Sequence, residues 1–448
     1  MREFLILIFT FFIGINSAFA YDLVLPKEKK SIVNTNYAFF IGKASENELL
    51  SINGHRVYIA SNGAFAHSVK LKEGENRVII KSNYNSQVYK IYKSPKEENV
   101  KPQLVEFDAK LYKVKKDNTP LRSTPIDGGM NRISHLFKDT NIIINGEKGG
   151  FYRVYLSKEK EAWIAKNSVK VSELETAPAF ITMNSNTFKN ASEHIIEFTD
   201  KLPYTIEENN EEIIFRVYNP FIDENSVYVV NIKKPEKYTY TTKLNNGAYI
   251  FKVCHFIENE NRNLDNLTIT IDAGHGGSEN GAIGCLGDKE KDINLLIAQE
   301  LKNQLSILGA NVVMTRECDG NISLDDRVKL AKENCSDIFV SIHLNSIPDI
   351  EMNVHKNRGT SVYYYNQHSK GLATVIENNL TKALNTRKDG VREASFAVIR
   401  PTEYIGILVE VAYMTNPIDS VIYKDENFAS ETAKSIAESI LQFSTFEI

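Results

Sequence analysis

Residues 267–277 read Leu-Thr-Ile-Thr-Ile-Asp-Ala-Gly-His-Gly-Gly, an alternating apolar run that passes into a glycine-rich turn. Such alternation is typical of a β-strand, so the pattern predicts that His275 lies just beyond a strand's carboxyl end. A second apolar run, residues 338–342, is followed directly by His343. If the two strands are parallel, both imidazoles lie at the edge where open α/β sheets bind their ligands.

A third polar residue, Glu290, stands at the start of a helical pattern. Apolar residues recur at helical spacing from residue 290 to residue 308, and Gly309 ends the pattern. A carboxylate in a first helical turn is also stabilised by the helix dipole, so its charge alone does not indicate a metal ligand. Two imidazoles and one carboxylate together are nevertheless a common ligand set of catalytic zinc. We therefore predict that His275, Glu290 and His343 bind one zinc ion.

The rest of this region alternates strands and helices. Strands are predicted at residues 267–271, 311–315, 338–342, 360–365, 396–399 and 405–409. Helices are predicted at residues 290–308, 324–333, 370–384 and 427–443. This alternation predicts an α/β domain over residues 267–448, with a layered mixed sheet and helices on both faces.

Further motifs accompany the three ligand candidates. They are Ser323-Leu-Asp-Asp-Arg327, Gly359-Thr-Ser-Val-Tyr-Tyr, the run of residues 391–400, and Glu410 followed by Tyr413-Met-Thr-Asn416-Pro417. In order and spacing, residues 267–443 resemble the zinc-dependent N-acetylmuramoyl-L-alanine amidases, a family of bacterial cell-wall hydrolases. The resemblance implies that His275, Glu290 and His343 bind zinc and that Glu410 is the catalytic acid/base.

Elementary chemistry gives Glu410 a reason for that role. Hydrolysis of an amide needs an activated water, a polarised carbonyl and a proton for the departing nitrogen, and zinc supplies the first two. Glu410 follows the apolar run 405–409, where partial desolvation raises the pKa of a carboxyl group toward the range useful for proton transfer. The alternative is a carboxylate that accepts backbone N–H groups in a turn.

Four other polar residues are candidates around the site. Asp272 or Asn345 could hold a ligating imidazole by its second nitrogen, although capping of a turn explains either residue equally well. Arg392 and Arg400 could face the carboxylates of a peptide substrate, since arginine pairs with carboxylates through two hydrogen bonds. Arginines exposed at the surface are the more common explanation.

The first twenty residues have the pattern of a secretory signal peptide. Arg2 precedes an apolar run over residues 4–13, and Ser17-Ala-Phe-Ala20 has the small residues of a cleavage site. An uncleaved anchor is the alternative, but the run is shorter than the ~20 residues of a membrane-spanning helix. We therefore predict an exported protein, periplasmic or associated with the cell wall, that keeps no stable membrane span.

Composition agrees with a multidomain exported enzyme. The chain has 448 residues and a net charge of −4, which suggests two to four domains and gives no indication of nucleic-acid binding. No pair of its four cysteines, Cys254, Cys285, Cys318 and Cys335, has the CxxC spacing of a thiolate zinc site. Their disulfide pairing stays open, and an exposed Cys285 thiol near the metal is conceivable.

Three β-rich segments precede the α/β domain. Residues 31–93 carry short alternating strands with Asn-Gly and Glu-Gly turns and resemble an Ig-like sandwich, either an attachment module or a spacer. A charged segment with two prolines, residues 94–102, is a predicted linker. Residues 177–256 form a further predicted β-domain, faintly similar to the localisation domains of amidases.

The middle segment, residues 104–172, resembles a bacterial SH3 domain. The resemblance depends on Pro120-Leu-Arg-Ser-Thr-Pro125, on Gly149-Gly-Phe-Tyr-Arg-Val-Tyr-Leu156 and on Ala162-Trp-Ile-Ala-Lys-Asn-Ser-Val169. Since such domains often bind wall peptides, Tyr152 and Trp163 could form an aromatic contact surface. The alternative is that both rings pack in the barrel core.

We therefore expect zinc-dependent hydrolysis of the amide bond between N-acetylmuramic acid and L-alanine in peptidoglycan, with release of stem peptides. One alternative is a zinc peptidase that cuts within the stem. A second is a catalytically silent wall-binding protein. A wall or septal partner that binds the N-terminal domains is conceivable in each case.

Overall fold

The computed structural model describes residues 21–45, 47–83, 85–95, 102–173, 176–245, 247–256, 263–347 and 356–445. The predicted signal peptide, residues 1–20, lies outside the described residues. Within the described ranges, every helix is too short or too polar to cross a membrane.

The first unit consists of two β-sheets that share one apolar core. Its strands are β1 (Tyr21–Leu25), β2 (Lys30–Val33), β3 (Tyr37–Ala44), β4 (Ser51–Ile52), β5 (His55–Arg56), β6 (Ala64–Lys70), β7 (Gly74–Lys81) and β8 (Ser86–Lys93). The sheet orders are β1-β3-β6 and β2-β8-β7-β4-β5, and Phe40 and Phe65 of one sheet meet Val78 and Ile80 of the other. The unit begins at Tyr21, ahead of the boundary predicted at residue 31.

The second unit is one sheet of seven strands in the order β11-β10-β14-β13-β12-β9-β15. Its strands are β9 (Leu104–Val114), β10 (Thr119–Arg122), β11 (Arg132–Leu136), β12 (Asn141–Lys148), β13 (Phe151–Ser157), β14 (Lys160–Ala165) and β15 (Val169–Val171). All its strand pairs are antiparallel, so its strands bury alternate residues, among them Ile142 and Ile144.

The third unit again has two sheets, with orders β16-β17-β22-β21 and β18-β19-β20. Its strands are β16 (Phe180–Phe188), β17 (Ala191–Phe198), β18 (Tyr204–Glu208), β19 (Glu212–Tyr218), β20 (Val227–Lys233), β21 (Tyr238–Asn245) and β22 (Ala248–His255). Phe198, Phe215 and Tyr249 belong to an apolar core that continues into the second unit. The second and third units therefore stabilise each other.

The α/β domain is built on a mixed sheet of six strands in the order β24-β23-β25-β28-β26-β27. Its strands are β23 (Thr268–Ala273), β24 (Asn311–Met314), β25 (Ile338–Asn345), β26 (Thr360–Tyr364), β27 (Lys388–Glu393) and β28 (Ile405–Tyr413). Its helices are α1 (Glu290–Ile307), α2 (Leu324–Glu333), α3 (Lys370–Ala383), α4 (Pro417–Tyr423) and α5 (Phe428–Ser444). Strands β23, β24, β25 and β28 are mutually parallel, whereas β26 is antiparallel to β28.

Helices cover both faces of this sheet, as predicted. Helices α1, α3 and α5 pack on one face through the large apolar core. Helix α2 packs on the other face, together with a short 3-10 turn at Ala397–Ile399. The α/β fold predicted for residues 267–448 is therefore confirmed.

Two details differ from the predicted elements. Residues 396–399 were expected to form a strand, but this prediction is wrong, because Val398 and Ile399 bury their side chains against α2 without joining the sheet. The sixth strand is instead β27, whose polar sequence Lys-Asp-Gly-Val-Arg-Glu at the edge of the sheet lacks the alternation of a half-buried strand.

All three β-rich units contact the α/β domain. Ile41, Ala60, Ala64 and Ala66 of the first unit form an apolar cluster with Cys285, Ile347 and Tyr413. In the second unit, Gly129 lies so close to Ser395 that a Cβ atom there would be 2.5 Å from the Ser395 Cβ. The Tyr240 N–H of the third unit donates to the Thr402 carbonyl at 2.9 Å.

Candidate metal centre

The structure brings His275, Glu290 and His343 together at one edge of the sheet. His275 follows β23, Glu290 begins α1 and His343 lies on β25. One ligand atom from each residue lies within 4.8 Å of the other two. The distance from His275 Nε2 to Glu290 Oε2 is 3.2 Å, and that from His343 Nδ1 to Glu290 Oε1 is 2.9 Å. These three donors suit zinc, which prefers imidazole and carboxylate ligands.

Two glycines make this approach possible. A Cβ atom at Gly274 would lie 2.3 Å from His343 Cε1, and one at Gly281 would lie 2.4 Å from Glu290 Oε2. Both distances are far shorter than the ~3.5–4.0 Å of ordinary carbon contacts. The glycine-rich loop after β23 is therefore required for the three ligand atoms to converge.

Glu290 is held as an anion. It is 4 % exposed, and its two carboxylate oxygens accept the Ala282 N–H at 2.8 Å and the Leu344 N–H at 3.2 Å. Burial on its own would raise the pKa of Glu290, but hydrogen bonds from His275 and His343 outweigh it and hold the pKa well below its usual range. The buried carboxylate and the two imidazole nitrogens that face it could therefore bind a metal ion in place of the hydrogen atoms between them.

Asp272 organises the loop rather than an imidazole. Its Oδ1 accepts from Arg327 Nη1 at 2.5 Å and from Thr315 Oγ1 at 2.8 Å, and its Oδ2 accepts from Ser341 Oγ at 2.7 Å. Asp272 and Arg327 are both almost fully buried. Among the described residues, Asp272 has no hydrogen bond to either ligand histidine.

Two arginines fix the backbone that carries His275. Arg327 donates to the carbonyls of Ala273 and His275, each at 2.9 Å. Arg316 donates to the same Ala273 carbonyl at 2.9 Å and to the Gly274 carbonyl at 3.0 Å. His275 has a φ of 59°, a conformation that side chains other than glycine rarely adopt. Sequence reasoning assigned no role to either arginine, although the motif of residues 323–327 contains one of them.

Glu410 lies beside the ligand group, directly opposite His343 on the adjacent strand. Its Oε2 atom is enclosed and has no hydrogen-bond partner in the described part of the chain. Burial and then the charge of Glu290 raise its pKa well above the usual value. Ser361, opposite Glu410 on β26, has a similarly enclosed and unpartnered Oγ. These atoms offer polar contacts that the protein itself does not use.

The other candidates have partners of their own. Asn345 Oδ1 accepts the Ser346 N–H at 2.8 Å, which is a turn contact. Arg392 pairs with Asp389 at 2.6 Å. Arg400 donates to the Ser395 carbonyl at 3.0 Å.

The aromatic and sulfur candidates do not belong to the group of three ligand residues. Tyr152 is half-buried with its ring centroid 5.2 Å from that of Tyr112, and Trp163 is half-buried on β14. The four cysteines are free thiols. Cys285 is fully buried, which raises its pKa to about 12. The notion of an exposed thiol there is therefore wrong, because the first unit covers this part of the loop.

The family model described as N-acetylmuramoyl-L-alanine amidase matches residues 269–442. The uncharacterized protein YqiI of Bacillus subtilis is 36% identical over 181 residues, which cover 40% of this chain and 84% of that protein. The N-acetylmuramoyl-L-alanine amidase LytC of Bacillus subtilis is 36% identical over 180 residues, covering 39% of this chain but 35% of LytC. The catalytic domain of CwlV, an amidase from Bacillus (Paenibacillus) polymyxa var. colistinus, is 34% identical; the match covers 40% of this chain and 97% of that domain, with a TM-score of 0.37. By the matched residues and the identity to YqiI, this chain belongs to the N-acetylmuramoyl-L-alanine amidase family.

Proposed function

We propose that this chain uses a zinc ion bound by His275, Glu290 and His343 to hydrolyse the amide bond between N-acetylmuramic acid and L-alanine in peptidoglycan. Peptidoglycan amidase activity follows from the family. The proposed metal and the proposed residue roles depend on one observation: three ligand atoms lie within 4.8 Å of one another, beside a carboxyl group on the adjacent strand. Two imidazoles and a carboxylate also leave room for water in the fourth position of a tetrahedral zinc site.

A zinc ion held by His275, Glu290 and His343 would polarise the amide carbonyl and lower the pKa of water. Glu410 accepts the proton of the attacking water and returns it to the nitrogen of the departing L-alanine. Burial and the charge of Glu290 raise its pKa above the usual value, so Glu410 holds a proton more strongly than an exposed carboxylate does. The products are the carboxylic acid of the lactyl group and a stem peptide with a free amino terminus.

Two arginines support the loop that carries the first ligand residue. Arg327 and Arg316 hold the carbonyls of residues 273–275 in place, and His275 is thereby aimed at Glu290. Ligand positions that are fixed before substrate binds reduce the cost of reaching the transition state.

Mass spectrometry of digested peptidoglycan tests this proposal. Residues 21–448 are incubated with purified sacculi, with and without a zinc chelator. We expect chelator-sensitive release of peptides that begin with alanine, and loss of that release in His275→Ala and Glu410→Gln. Matched controls are His255→Ala and Glu438→Gln, since both side chains are exposed and lie outside the site. Shorter fragments would indicate a stem peptidase instead, and binding without release would indicate a silent wall-binding protein.

We also infer that the protein acts outside the cytoplasm, with residues 1–20 as a cleaved signal. The amidase family supports this inference, because its substrate is the wall. The first three units would then hold the enzyme at the wall or at a partner. Fractionation of cells that express residues 1–448 or 21–448 tests export, and an intracellular location of the longer chain would refute it.

A further inference from the structure

A cavity of about 920 Å³ lies where the second and third units meet the catalytic domain. Residues from all three units line it, among them Arg132, His135, Tyr204, Lys332, Tyr365 and Arg400. Its size is that of a site for a small organic ligand. The α/β domain alone could not form it, because two of its walls come from β-rich units.

Positive charge is concentrated on one side of this cavity. Arg132 and Arg400 come from different units. Within the described ranges neither forms an ion pair with a carboxylate, and Arg132 Nη1 lies 3.4 Å from His135 Nε2. The Arg132 Nε is enclosed and has no partner in the same ranges. Arg122, which is 5 % exposed and paired with Asp127 at 2.6 Å, adds a third guanidinium nearby. The three guanidinium groups carry like charges and therefore repel one another. This repulsion is relieved when an anion binds between them.

Acidic residues also line the cavity, and their charges disfavour a ligand that carries only negative charge. Glu403 is paired with Lys332 at 2.5 Å, and Glu208 accepts from Tyr238 Oη at 2.5 Å. Asp117, Asp325 and Glu393 also line the cavity, so its wall carries both positive and negative charges. A chain of repeated phosphates would meet repulsion from these carboxylates. A peptide whose carboxyl terminus lies beside a side-chain amine matches the mixture.

Strand β26 gives the distance between Glu410 and the cavity. Ser361 is opposite Glu410, and β26 runs from there away from the metal centre to Tyr364, which is followed by Tyr365 in the lining of the cavity. Four residues of strand correspond to about 13 Å. An extended peptide of four residues covers the same distance.

We propose that this cavity binds the terminal carboxylate of a peptidoglycan stem peptide, through Arg132 and Arg400. The inference rests on the proposed function, because it places the scissile bond at the metal centre. It assigns to the second unit a part in substrate selection, as the unit that supplies one of the two arginines.

The test compares two soluble muropeptides with four-residue stems, one ending in a carboxylate and one in a carboxamide. We expect residues 21–448 to cleave the carboxylate form with a kcat/KM about tenfold higher, as for one charge-assisted contact. This preference should fall toward unity in Arg132→Gln and Arg400→Gln, and be partly restored in Arg132→Lys. Lys170→Gln, an exposed change of equal charge on the second unit, is the matched control. Equal preference in the wild type and Arg132→Gln would overturn the proposal.

Calorimetry with the free tetrapeptide separates this inference from the proposed activity. If the wild type cleaves neither substrate, the proposed function fails, and the cavity is judged by binding alone. Tighter binding of the carboxylate peptide than of its carboxamide, lost in Arg132→Gln, supports the site. Equal binding of the two peptides, or displacement of the peptide by lower concentrations of inorganic phosphate, overturns it. Circular dichroism at the same temperature excludes unfolding of the variants.

Discussion

Gly274→Ala should disable the enzyme through one added methyl group. The new Cβ would lie 2.3 Å from His343 Cε1, 2.4 Å from its Nε2 and 2.7 Å from its Nδ1. The ordinary contact distance is about 3.5 Å or more, so the ring must move by roughly 1 Å. A displacement of about 1 Å within a catalytic group costs on the order of a hundredfold in rate.

The imidazole has little freedom to escape this contact. His343 Nδ1 is tied to Glu290 at 2.9 Å, and Glu290 is fixed by the backbone N–H groups of Ala282 and Leu344. We therefore expect kcat/KM on peptidoglycan fragments to fall at least about a hundredfold, and zinc to be lost at lower chelator concentrations. The domain should stay folded, since the clash involves one side chain at the edge of the sheet.

Gly320→Ala is the matched control, because a Cβ there would have no neighbour within 4 Å. Activity is measured by release of free amino termini, and zinc by titration with a chelator. Activity within twofold of the wild type in Gly274→Ala, with unchanged zinc retention, would refute the packing argument.

The remaining predictions concern charge and burial. Asp272→Asn leaves the buried Arg327 without its anionic partner, and should lower the free energy of unfolding by about 3–5 kcal/mol in urea denaturation; a loss below 1 kcal/mol would contradict this reasoning. Glu410→Gln should keep its zinc but lose about 10²–10⁴-fold in kcat; loss of zinc together with activity would argue against a proton-transfer role. Because burial raises the folded-state pKa of Glu410, the ionised group costs stability above the unfolded-state pKa of about 4.3. Metal-free Glu410→Gln should therefore melt at a higher temperature than the metal-free wild type at pH 7, and the difference should vanish below about pH 4; a difference independent of pH would contradict this. A thiol reagent should label Cys318 rapidly and Cys285 only on unfolding, since the first is exposed and the second buried; mass spectrometry of the labelled peptides decides the order.

The three ligand candidates were predictable because each follows or begins an element with a strong local pattern. His275 and His343 follow apolar runs, and Glu290 begins an amphipathic helix, so the parallel arrangement of the strands brings them together. The buried pair of Asp272 and Arg327 was not predictable, because its residues are 55 positions apart and either could equally face solvent. Contacts of this kind depend on how α2 packs against the sheet.

Errors in the predicted elements have a similar origin. Residues 396–399 are apolar because they are buried, but burial under α2 does not require a strand. Strand β27 is polar because it lies at the edge of the sheet. Helix α4 spans seven residues, which is too short for a helical period to be recognised. Local patterns report burial more reliably than they report hydrogen bonding between distant segments.

The contact between the first unit and the catalytic domain bears on how the enzyme can be divided. Ala60, Ala64 and Ala66 are small enough for the sheet to sit closely on the loop that contains Cys285, between two of the ligand candidates. Cutting the chain before residue 267 would leave Cys285, Ile347 and Tyr413 facing water, and an uncovered apolar patch favours aggregation. The first unit, which could be taken for a separable spacer, therefore stabilises the loop that carries the ligand candidates. If evolution replaced this unit by another module, the same surface would need a new cover.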